Sequence, residues 1–264
     1  MTYGKWWVIR RLTFLFILAL FLVSARSGVN ILVGNYSGST FLGFIPAVDP
    51  LLAIQSYFAT GGLYQTAIIG AVLVVALYLV VGGRAFCGWV CPLGVVVDFA
   101  NWLSKKLKIK RPFQGFSSST KYYMMGIVLV GAAISGVALY EMYNPISILH
   151  RAILFEGVGI GAVSWMIVGI LFLYEFGVAR SGWCKSLCPQ GAFYSTLGKF
   201  SLIKVVADEE RGSIPKNIGE VCPEPAALVN ILNHEPQNGE CTLCGACVDY
   251  AGNGSLSFTL KPGS

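Results

Sequence analysis

Apolar residues gather in four long stretches of the chain, separated by segments rich in polar residues. The stretches run over residues 6–25, 63–83, 122–140 and 158–179. Each is close to the ~20 residues with which a helix crosses a bilayer. The pattern therefore predicts four transmembrane helices. The first stretch also fits a signal peptide, because Arg10 and Arg11 precede an apolar run that ends in small residues.

The composition supports a membrane protein. Of the 264 residues, 55% are hydrophobic and only 12% are charged, which is too apolar for an ordinary soluble domain. A membrane domain with a modest polar extension accounts better for these values.

Basic residues are distributed unevenly between the loops. The loops over 26–62 and 141–157 hold only Arg26 and Arg151. By contrast, three basic residues lie at the start and seven lie between the second and third stretches: Lys5, Arg10 and Arg11, and Arg84, Lys105, Lys106, Lys108, Lys110, Arg111 and Lys121. Positively charged loops stay in the cytoplasm. We therefore expect both termini in the cytoplasm, and the two loops with few basic residues outside. The net charge of +6 is largely this signal, and no motif indicates a nucleic-acid partner.

An internal repeat joins the second and fourth stretches. GGRAFCGWVCPLG follows the second and ARSGWCKSLCPQG follows the fourth, and both contain an aromatic residue followed by C-x3-C-P-x-G. The repeat predicts two similar helical hairpins that share one interface, where binding sites of such proteins lie. If the motifs are helical, the two cysteines of each lie one turn apart on one face. Pro92 and Pro189 then begin the following helices.

Two interpretations of the repeated motifs stay open. Cys87, Cys91, Cys184 and Cys188 together offer the four thiolates that a [4Fe–4S] cluster or a tetrahedral zinc needs. They also fit four reduced structural cysteines that pack the hairpin ends. After the first motif, residues 95–111 read as an amphipathic helix on the membrane surface or, equally well, as a charged linker.

A polar tail begins near residue 201. Apolar periodicity fades there, while glycine, proline, asparagine and acidic residues become frequent. We therefore predict two domains: a membrane domain over 1–200, all-α with four transmembrane helices in two hairpins, and a small cytoplasmic ferredoxin-like α+β tail over 201–264. A tail with so small an apolar core needs an additional stabilising element, such as a metal cluster.

Cysteine spacing in the tail predicts one iron–sulfur cluster. Cys241, Cys244 and Cys247 form C-x2-C-x2-C, but the fourth position of the ferredoxin pattern is Ala251. Cys222-Pro223 ends a second pattern, whose earlier positions are Gly212, Pro215 and Ile218. In two-cluster ferredoxins the fourth cysteine binds the other motif's cluster. Cys222, Cys241, Cys244 and Cys247 therefore make one complete [4Fe–4S] site beside an erased one. Zinc sites favour C-x2-C pairs set apart.

These features resemble the NapH family of membrane ferredoxin-type proteins, to which NosH, MauN and the membrane core of NosR are related. The similar segments are GNYSGS, VDPLLAIQS, RAFCGWVCPLG, DFANWL, YEMYNPIS, SGWCKSLCP, VCPEP and CTLCGACVD. The resemblance implies a quinol dehydrogenase component of the bacterial inner membrane. Such a subunit takes electrons from the quinone pool toward a periplasmic reductase or dehydrogenase system, usually with a NapG-like ferredoxin. The erased cluster site departs from the family pattern.

Quinol oxidation requires groups that accept protons beside an apolar groove. On the outward side the candidates are Asp49, Glu141, Asn144 and His150. Glu175 lies within the fourth stretch, where an acid is costly and often functional.

Each candidate also has a structural interpretation. Asp49 before Pro50 suits a turn, Glu141 marks the end of a stretch, and Glu175 has Arg180 and Arg84 as possible ion-pair partners. A second function stays open as well, since relatives of this architecture are associated with redox-dependent assembly or maturation of a partner metalloenzyme.

Overall fold

The computed structural model describes residues 4–28, 30–62, 64–111, 113, 115–154, 162–235 and 239–260, and most of them are helical. The helices are α1 (Lys5–Ser27), α2 (Pro50–Thr60), α3 (Gln65–Val81), α4 (Pro92–Lys106), α5 (Thr120–Ser135), α6 (Leu139–Tyr143), α7 (Pro145–Leu154), α8 (Ala162–Gly177), α9 (Pro189–Lys199), α10 (Pro225–Leu232) and α11 (Ala246–Ala251). The strands are β1 (Leu32–Gly34), β2 (Gly38–Phe41), β3 (Ile45–Val48), β4 (Ile203–Ala207) and β5 (Leu256–Leu260).

Helices occupy all four apolar stretches, but they differ in length. Within the described part of the chain, only α1, with 23 residues, is long and apolar enough to cross a membrane. The helices in the other three stretches, α3, α5 and α8, have 17, 16 and 16 residues. Residue 63 and residues 158–161, which belong to the predicted second and fourth spans, lie outside the described residues.

The chain divides into two compact units. The first contains residues 1–14, 77–90 and 191–264, and the second contains residues 15–76 and 91–190. The predicted tail thus shares a unit with the start of α1 and with a segment that includes Cys87.

An antiparallel pair of strands organises the first unit. β4 pairs with β5 in the register Val205 to Phe258, α10 packs against β4, and α11 packs against β5. The apolar core of this unit includes Ala85, with Tyr78 and Trp89 packed beside it. Residues of the segment 77–90 are therefore part of the core of the tail.

Apolar side chains pack together near three positions at which the ferredoxin pattern lacks cysteines. Ile218 is 3% exposed and belongs to the core, and Ile214 and Ala251 pack against it. The turn Ile218–Glu220 contacts α11. These side chains bury apolar area, which stabilises the tail by the hydrophobic effect.

The second unit corrects the prediction of an all-α membrane domain. β1, β2 and β3 form an antiparallel sheet, with Leu32 opposite Phe41 and Gly38 opposite Val48. The three strands have only three or four residues each, too few for an alternating pattern to stand out. Helices of this unit pack in pairs, α2 on α5, and α4 on α7 and α8.

Candidate functional site

The four tail cysteines predicted as cluster ligands line one pocket in the first unit. Its wall contains Cys222, Cys241, Cys244 and Cys247, together with Val205, Glu224, Ala227, Leu228, Ile231, Thr242 and Gly245. Cys222 lies 19 positions before Cys241 in the sequence, yet the fold brings both to the same cavity. All four are free thiols.

The cysteine loop turns sharply between its ligands. Leu243 and Gly245 have φ angles of 51° and 72°, and α11 begins directly after Gly245. A Cβ at position 245 would lie 2.5 Å from the Cβ of Trp6. Glycine is therefore required there for both conformation and space, and the turn directs Cys244 and Cys247 into one pocket.

Burial and mutual repulsion disfavour ionisation of these thiols. Burial, followed by the neighbouring Cys244, raises the pKa of Cys241 to about 12. The pKa values of Cys222 and Cys247 are raised as well, first by burial and then by the nearby cysteines. Thiolates gathered in this pocket need a positive charge to compensate them, which the iron of a [4Fe–4S] cluster supplies. Four sulfur donors in an apolar cavity therefore fit such a cluster. Across the described residues, no three histidine, cysteine or acidic side chains group closely enough for a single metal ion.

The two C-x3-C-P motifs fold in the same way. Residues Phe86–Val90 and Trp183–Leu187 each form a π-helical turn. The α-helical spacing considered for each cysteine pair does not apply, because each motif forms a wider π turn that ends before its second cysteine. Cys91 and Cys188 have extended backbones, with ψ angles of 121° and 113°, as a following proline demands. The prolines begin α4 and α9 as predicted.

Cysteines of the two motifs differ in their surroundings. Cys91 and Cys188 are buried in the second unit, Cys184 of that unit is half-buried, and Cys87, also half-buried, belongs to the first unit. The hydroxyl of Tyr140 lies 3.8 Å from the Cys188 sulfur. Tyr140 also interacts electrostatically with Cys91. One buried tyrosine is thus near a cysteine from each motif.

Two residues of the predicted quinol site, Glu141 and Asn144, lie near each other in the second unit. Both carboxylate oxygens of Glu141 accept a hydrogen bond from the Ser37 hydroxyl at 2.8 Å. Ser37 also contacts the Ser147 hydroxyl at 2.7 Å, and Asn144 donates to both Ser147 and Glu141.

Asp49 adjoins this hydrogen-bonded group of side chains and is buried. Its backbone N–H donates to the Ser37 carbonyl, and its side chain caps α2 by accepting from the backbone N–H of Leu51. Burial raises the pKa of Asp49 to about 7, and the neighbouring Glu141 adds to this effect. Asp49 can therefore change its charge near neutral pH.

His150 lies among aromatic rings. Its ring centroid is 4.6 Å from that of Phe21 and 4.2 Å from that of Tyr36. It is fully buried, and neither ring nitrogen has a hydrogen-bond partner among the described residues. Burial lowers the pKa of His150 to about 4, so the imidazole is neutral at physiological pH.

Glu175 is bound to the second cysteine motif. Its two carboxylate oxygens accept hydrogen bonds from the backbone N–H groups of Gly182 and Trp183, at 3.2 and 2.8 Å. Glu175 thus holds the start of the π turn that carries Cys184. Arg84, one of its suggested partners, instead forms ion pairs with Glu224 and Glu240. His234, the other histidine, is exposed.

Several residues of these sites were not predicted from the sequence. Ser37, Tyr36 and Tyr140 lie in segments that carry the family resemblance, but nothing in their spacing indicated a role. Arg84 was considered only as a basic loop residue and as a possible ion-pair partner of Glu175. Arg84 forms its buried ion pairs with two acids that follow it by 140 and 156 positions. No local pattern in the sequence indicates such contacts.

Comparison with a protein-family model identifies an iron–sulfur signature. A family described as a 4Fe-4S binding domain matches residues 64–110 and 158–205. The matched segments contain the C-x3-C-P motifs, one in each. The two matches agree with the internal repeat.

Curated relatives cover nearly the whole chain. The methylamine utilization ferredoxin-type protein MauN of Methylorubrum extorquens is 39% identical over 231 residues, which are 86% of this chain and 78% of the relative. The ferredoxin-type protein NapH of Haemophilus influenzae is 38% identical over 259 residues, 96% of this chain and 88% of the relative. NapH of Escherichia coli is 36% identical over 264 residues, with 97% and 90% covered. No solved structure matches the chain.

Proposed function

The chain belongs to the family of ferredoxin-type proteins that includes NapH and MauN, and from this premise we propose that it is a membrane electron-transfer subunit. It takes electrons from quinol and passes them, through iron–sulfur centres, toward a periplasmic reductase or dehydrogenase system. The convergence of Cys222, Cys241, Cys244 and Cys247 on one pocket carries this proposal.

The tail contributes one [4Fe–4S] centre. Cys222, Cys241, Cys244 and Cys247 would hold it through their thiolates, and a bound cluster would supply one-electron transfer. Ile218 and Ala251 occupy positions that a second cluster's ligands would take. A single centre in the tail would then hand electrons to the partner.

We assign a second centre to the repeated motifs, with Cys87, Cys91, Cys184 and Cys188 as its ligands. The matches to the 4Fe-4S family model fall on both motifs, and π-helical turns occur frequently at functional sites. Electron transfer favours iron–sulfur over zinc at this place, because zinc has no redox chemistry.

Asp49, Glu141 and His150 form the proposed quinol site, with Asn144 and Ser37 holding the Glu141 carboxylate. A quinol that becomes quinone loses two electrons and two protons, so the site must accept both protons. Asp49, with its pKa near 7, suits one of these transfers. The neutral imidazole of His150, between Phe21 and Tyr36, is placed to accept a hydrogen bond from a quinol hydroxyl. Glu175 remains in the proposed set of proton groups.

The proposed setting is the bacterial inner membrane, with four spans in two hairpins and both termini in the cytoplasm. Helices of 16 and 17 residues measure about 25 Å at 1.5 Å per residue, somewhat less than the ~30 Å hydrocarbon core. Local thinning of the bilayer accommodates such a difference at modest cost. Membrane lipid, the quinone pool and a NapG-like ferredoxin or other redox protein are the proposed partners.

The test is the iron and sulfide content of the full-length protein, purified without oxygen, and its reduction by quinol. Cys222→Ser and Cys244→Ser should each remove the same four irons, because both side chains bind one cluster. Thr242→Ser, in the same loop, is the matched control and should keep them. Retention of the tail cluster in Cys222→Ser would contradict the ligand set. Normal quinol oxidation, with a defect confined to maturation of a partner enzyme, would favour the assembly role instead.

A further inference from the structure

We propose that Arg84 is a positioning residue that locks the two ligand-bearing segments of the tail together and raises the reduction potential of the cluster they hold. This inference rests on the tail cluster of the proposed function. It concerns a residue outside the tail sequence, three positions before Cys87 in the first C-x3-C-P motif.

The Arg84 side chain is fully buried and bonded to two acids. Its Nη1 atom donates to Oε1 of Glu224 at 2.8 Å, to Oε2 of Glu240 at 3.0 Å and to the Glu240 backbone oxygen at 2.9 Å. Ser195 donates a further hydrogen bond to Oε2 of Glu240 at 3.2 Å. All three charged side chains are withdrawn from water, with at most 6% of each exposed.

Both acids are adjacent to proposed cluster ligands. Glu224 lies two residues after Cys222 and lines the cysteine pocket, and Glu240 directly precedes Cys241. Arg84 also interacts electrostatically with Cys241. One guanidinium group therefore joins the segment that carries Cys222 to the segment that carries the other three cysteines.

The residues after Arg84 continue this contact with the cysteine loop. The indole N–H of Trp89 donates to the Leu243 carbonyl at 2.9 Å. A Cβ at Gly88 would come within 2.5 Å of the Thr242 carbonyl oxygen, so the two backbones meet closely. The segment 84–89 is thus a template against which residues 240–243 are held.

The burial of these three charged side chains has a cost in free energy. A buried ion pair seldom stabilises a protein more than well-packed apolar residues would, because the charges lose their hydration. Here Arg84 binds both acids, and all three side chains lie close to cluster ligands. Reduction adds negative charge to a cluster, and cluster potentials depend on nearby charge. A fixed positive charge at Arg84 favours the reduced state, and a carboxylate beside it disfavours that state.

We expect replacement of the arginine and replacement of one of its acidic partners to shift the midpoint potential in opposite directions. Arg84→Gln should move the midpoint potential of the tail cluster downward, because a positive charge close to the cluster ligands is removed. Glu240→Gln should move it upward, because a negative charge directly before Cys241 is removed. Arg84→Lys keeps the charge and should restore most of the potential lost in Arg84→Gln.

The measurement is a redox titration of the full-length protein followed by electron paramagnetic resonance, with iron content determined in parallel. The signal that disappears in Cys222→Ser identifies the tail cluster. Arg211→Gln is the matched control, since Arg211 pairs with Asp208 in the same unit but is 67% exposed; it should leave the potential unchanged.

Equal potentials in the wild type and the Glu240→Gln and Arg84→Gln proteins would overturn the proposal, and so would shifts of the same sign in both. If Arg84→Gln does not hold the cluster, Glu240→Gln decides: an upward shift, with Arg84→Lys close to the wild type, supports the proposal, and no shift or a downward shift overturns it. A wild-type protein without any signal that depends on Cys222 would instead refute the tail cluster itself.

Discussion

Acidic side chains of this protein differ in their partners, and the partners decide what each acid can do. Glu224 and Glu240 neutralise a buried arginine, and Glu175 accepts backbone N–H groups of a cysteine motif. Glu141 accepts from a serine hydroxyl. Asp49 is buried and has no basic partner within the described ranges, and burial is the main cause of its raised pKa. Asp49 is therefore suited to exchange a proton near neutral pH.

Asp49→Asn should remove the dependence of quinol oxidation on an ionisation near pH 7. In the wild type the rate should rise with pH through about 7, because only the ionised carboxylate accepts a proton. Loss of a general base commonly costs roughly 10²-fold in rate. Asparagine caps a helix as well as aspartate does, so α2 should persist. The measurement is the rate of quinol-dependent cluster reduction between pH 5 and 9, with Asp208→Asn, a half-buried acid of the first unit, as the control.

Stability provides an independent check on the same variant. The pKa of Asp49 is raised from 3.8 to about 7 in the folded protein, so the folded state binds the proton more tightly. The wild type should therefore lose stability as pH rises from about 4 to about 7. Asp49→Asn should not show this loss, and its thermal midpoint should exceed that of the wild type at pH 8. The same pH dependence of stability in both proteins would show that Asp49 is ionised normally.

At the scale of elements, the two cysteine motifs are the same structural unit used twice. Each consists of a π-helical turn, an extended cysteine and a helix that begins at proline. Proline excludes the preceding cysteine from helical backbone angles and starts the next helix with its fixed φ. The equivalence of the two turns follows from the equivalence of their sequences and supports a common role for their thiols.

Single and double replacement of the motif cysteines tests that common role. If the four thiols hold one centre, Cys87→Ala or Cys184→Ala alone should abolish quinol-linked reduction of the tail cluster. The double variant should then do no further harm, which is the non-additivity expected of interacting residues. Val90→Ala, in the first turn, is the control that alters packing but keeps every thiol. Mild and additive effects would indicate structural cysteines, and quinol reduction by a protein lacking all four would exclude a joint redox centre.

At the scale of the whole molecule, segments that are distant in sequence combine into units. The first unit draws on three parts of the chain, and Ala85, Tyr78 and Trp89 complete the core beside the cysteine loop. The backbone N–H groups of Trp6 and Trp7, near the start of α1, donate to the Asp249 carboxylate. An isolated tail would lack all of these contacts, so experiments on the cluster require the full chain.

Labelling of introduced cysteines tests the proposed topology. A membrane-impermeant thiol reagent applied to intact spheroplasts should modify Thr40→Cys, beside Ser39, and leave Lys106→Cys unmodified until the membrane is opened. Both positions are exposed, so accessibility within the protein does not separate them. The eight native cysteines lie on the predicted cytoplasmic side and should stay unlabelled. The reverse pattern would place the clusters outside and contradict the proposed orientation.

Local chemistry accounts for what the sequence determined by itself. Apolar runs predicted the positions of α1, α3, α5 and α8, and prolines predicted the starts of α4 and α9. The family resemblance, confirmed by relatives at 36–39% identity, rested on motifs that are contiguous in the chain. Cysteine spacing singled out Cys222 with the three later cysteines, because ferredoxin cross-ligation is itself a rule about spacing. In each case the cause acts between residues close in sequence or follows from a fixed spacing.

Only the tertiary structure decided the contacts between distant segments. Arg84 meets Glu224 and Glu240 across 140 and 156 positions, and Tyr140 meets Cys188 across 48. The short sheet over residues 32–48 and the π form of both motifs also required the structure, since three or four residues carry too weak a periodic signal. Burial is likewise a property of the whole fold. Burial removes Arg84 and Asp49 from water. A buried charge such as that of Arg84 needs partners of opposite charge, and burial of the Asp49 carboxyl raises its pKa.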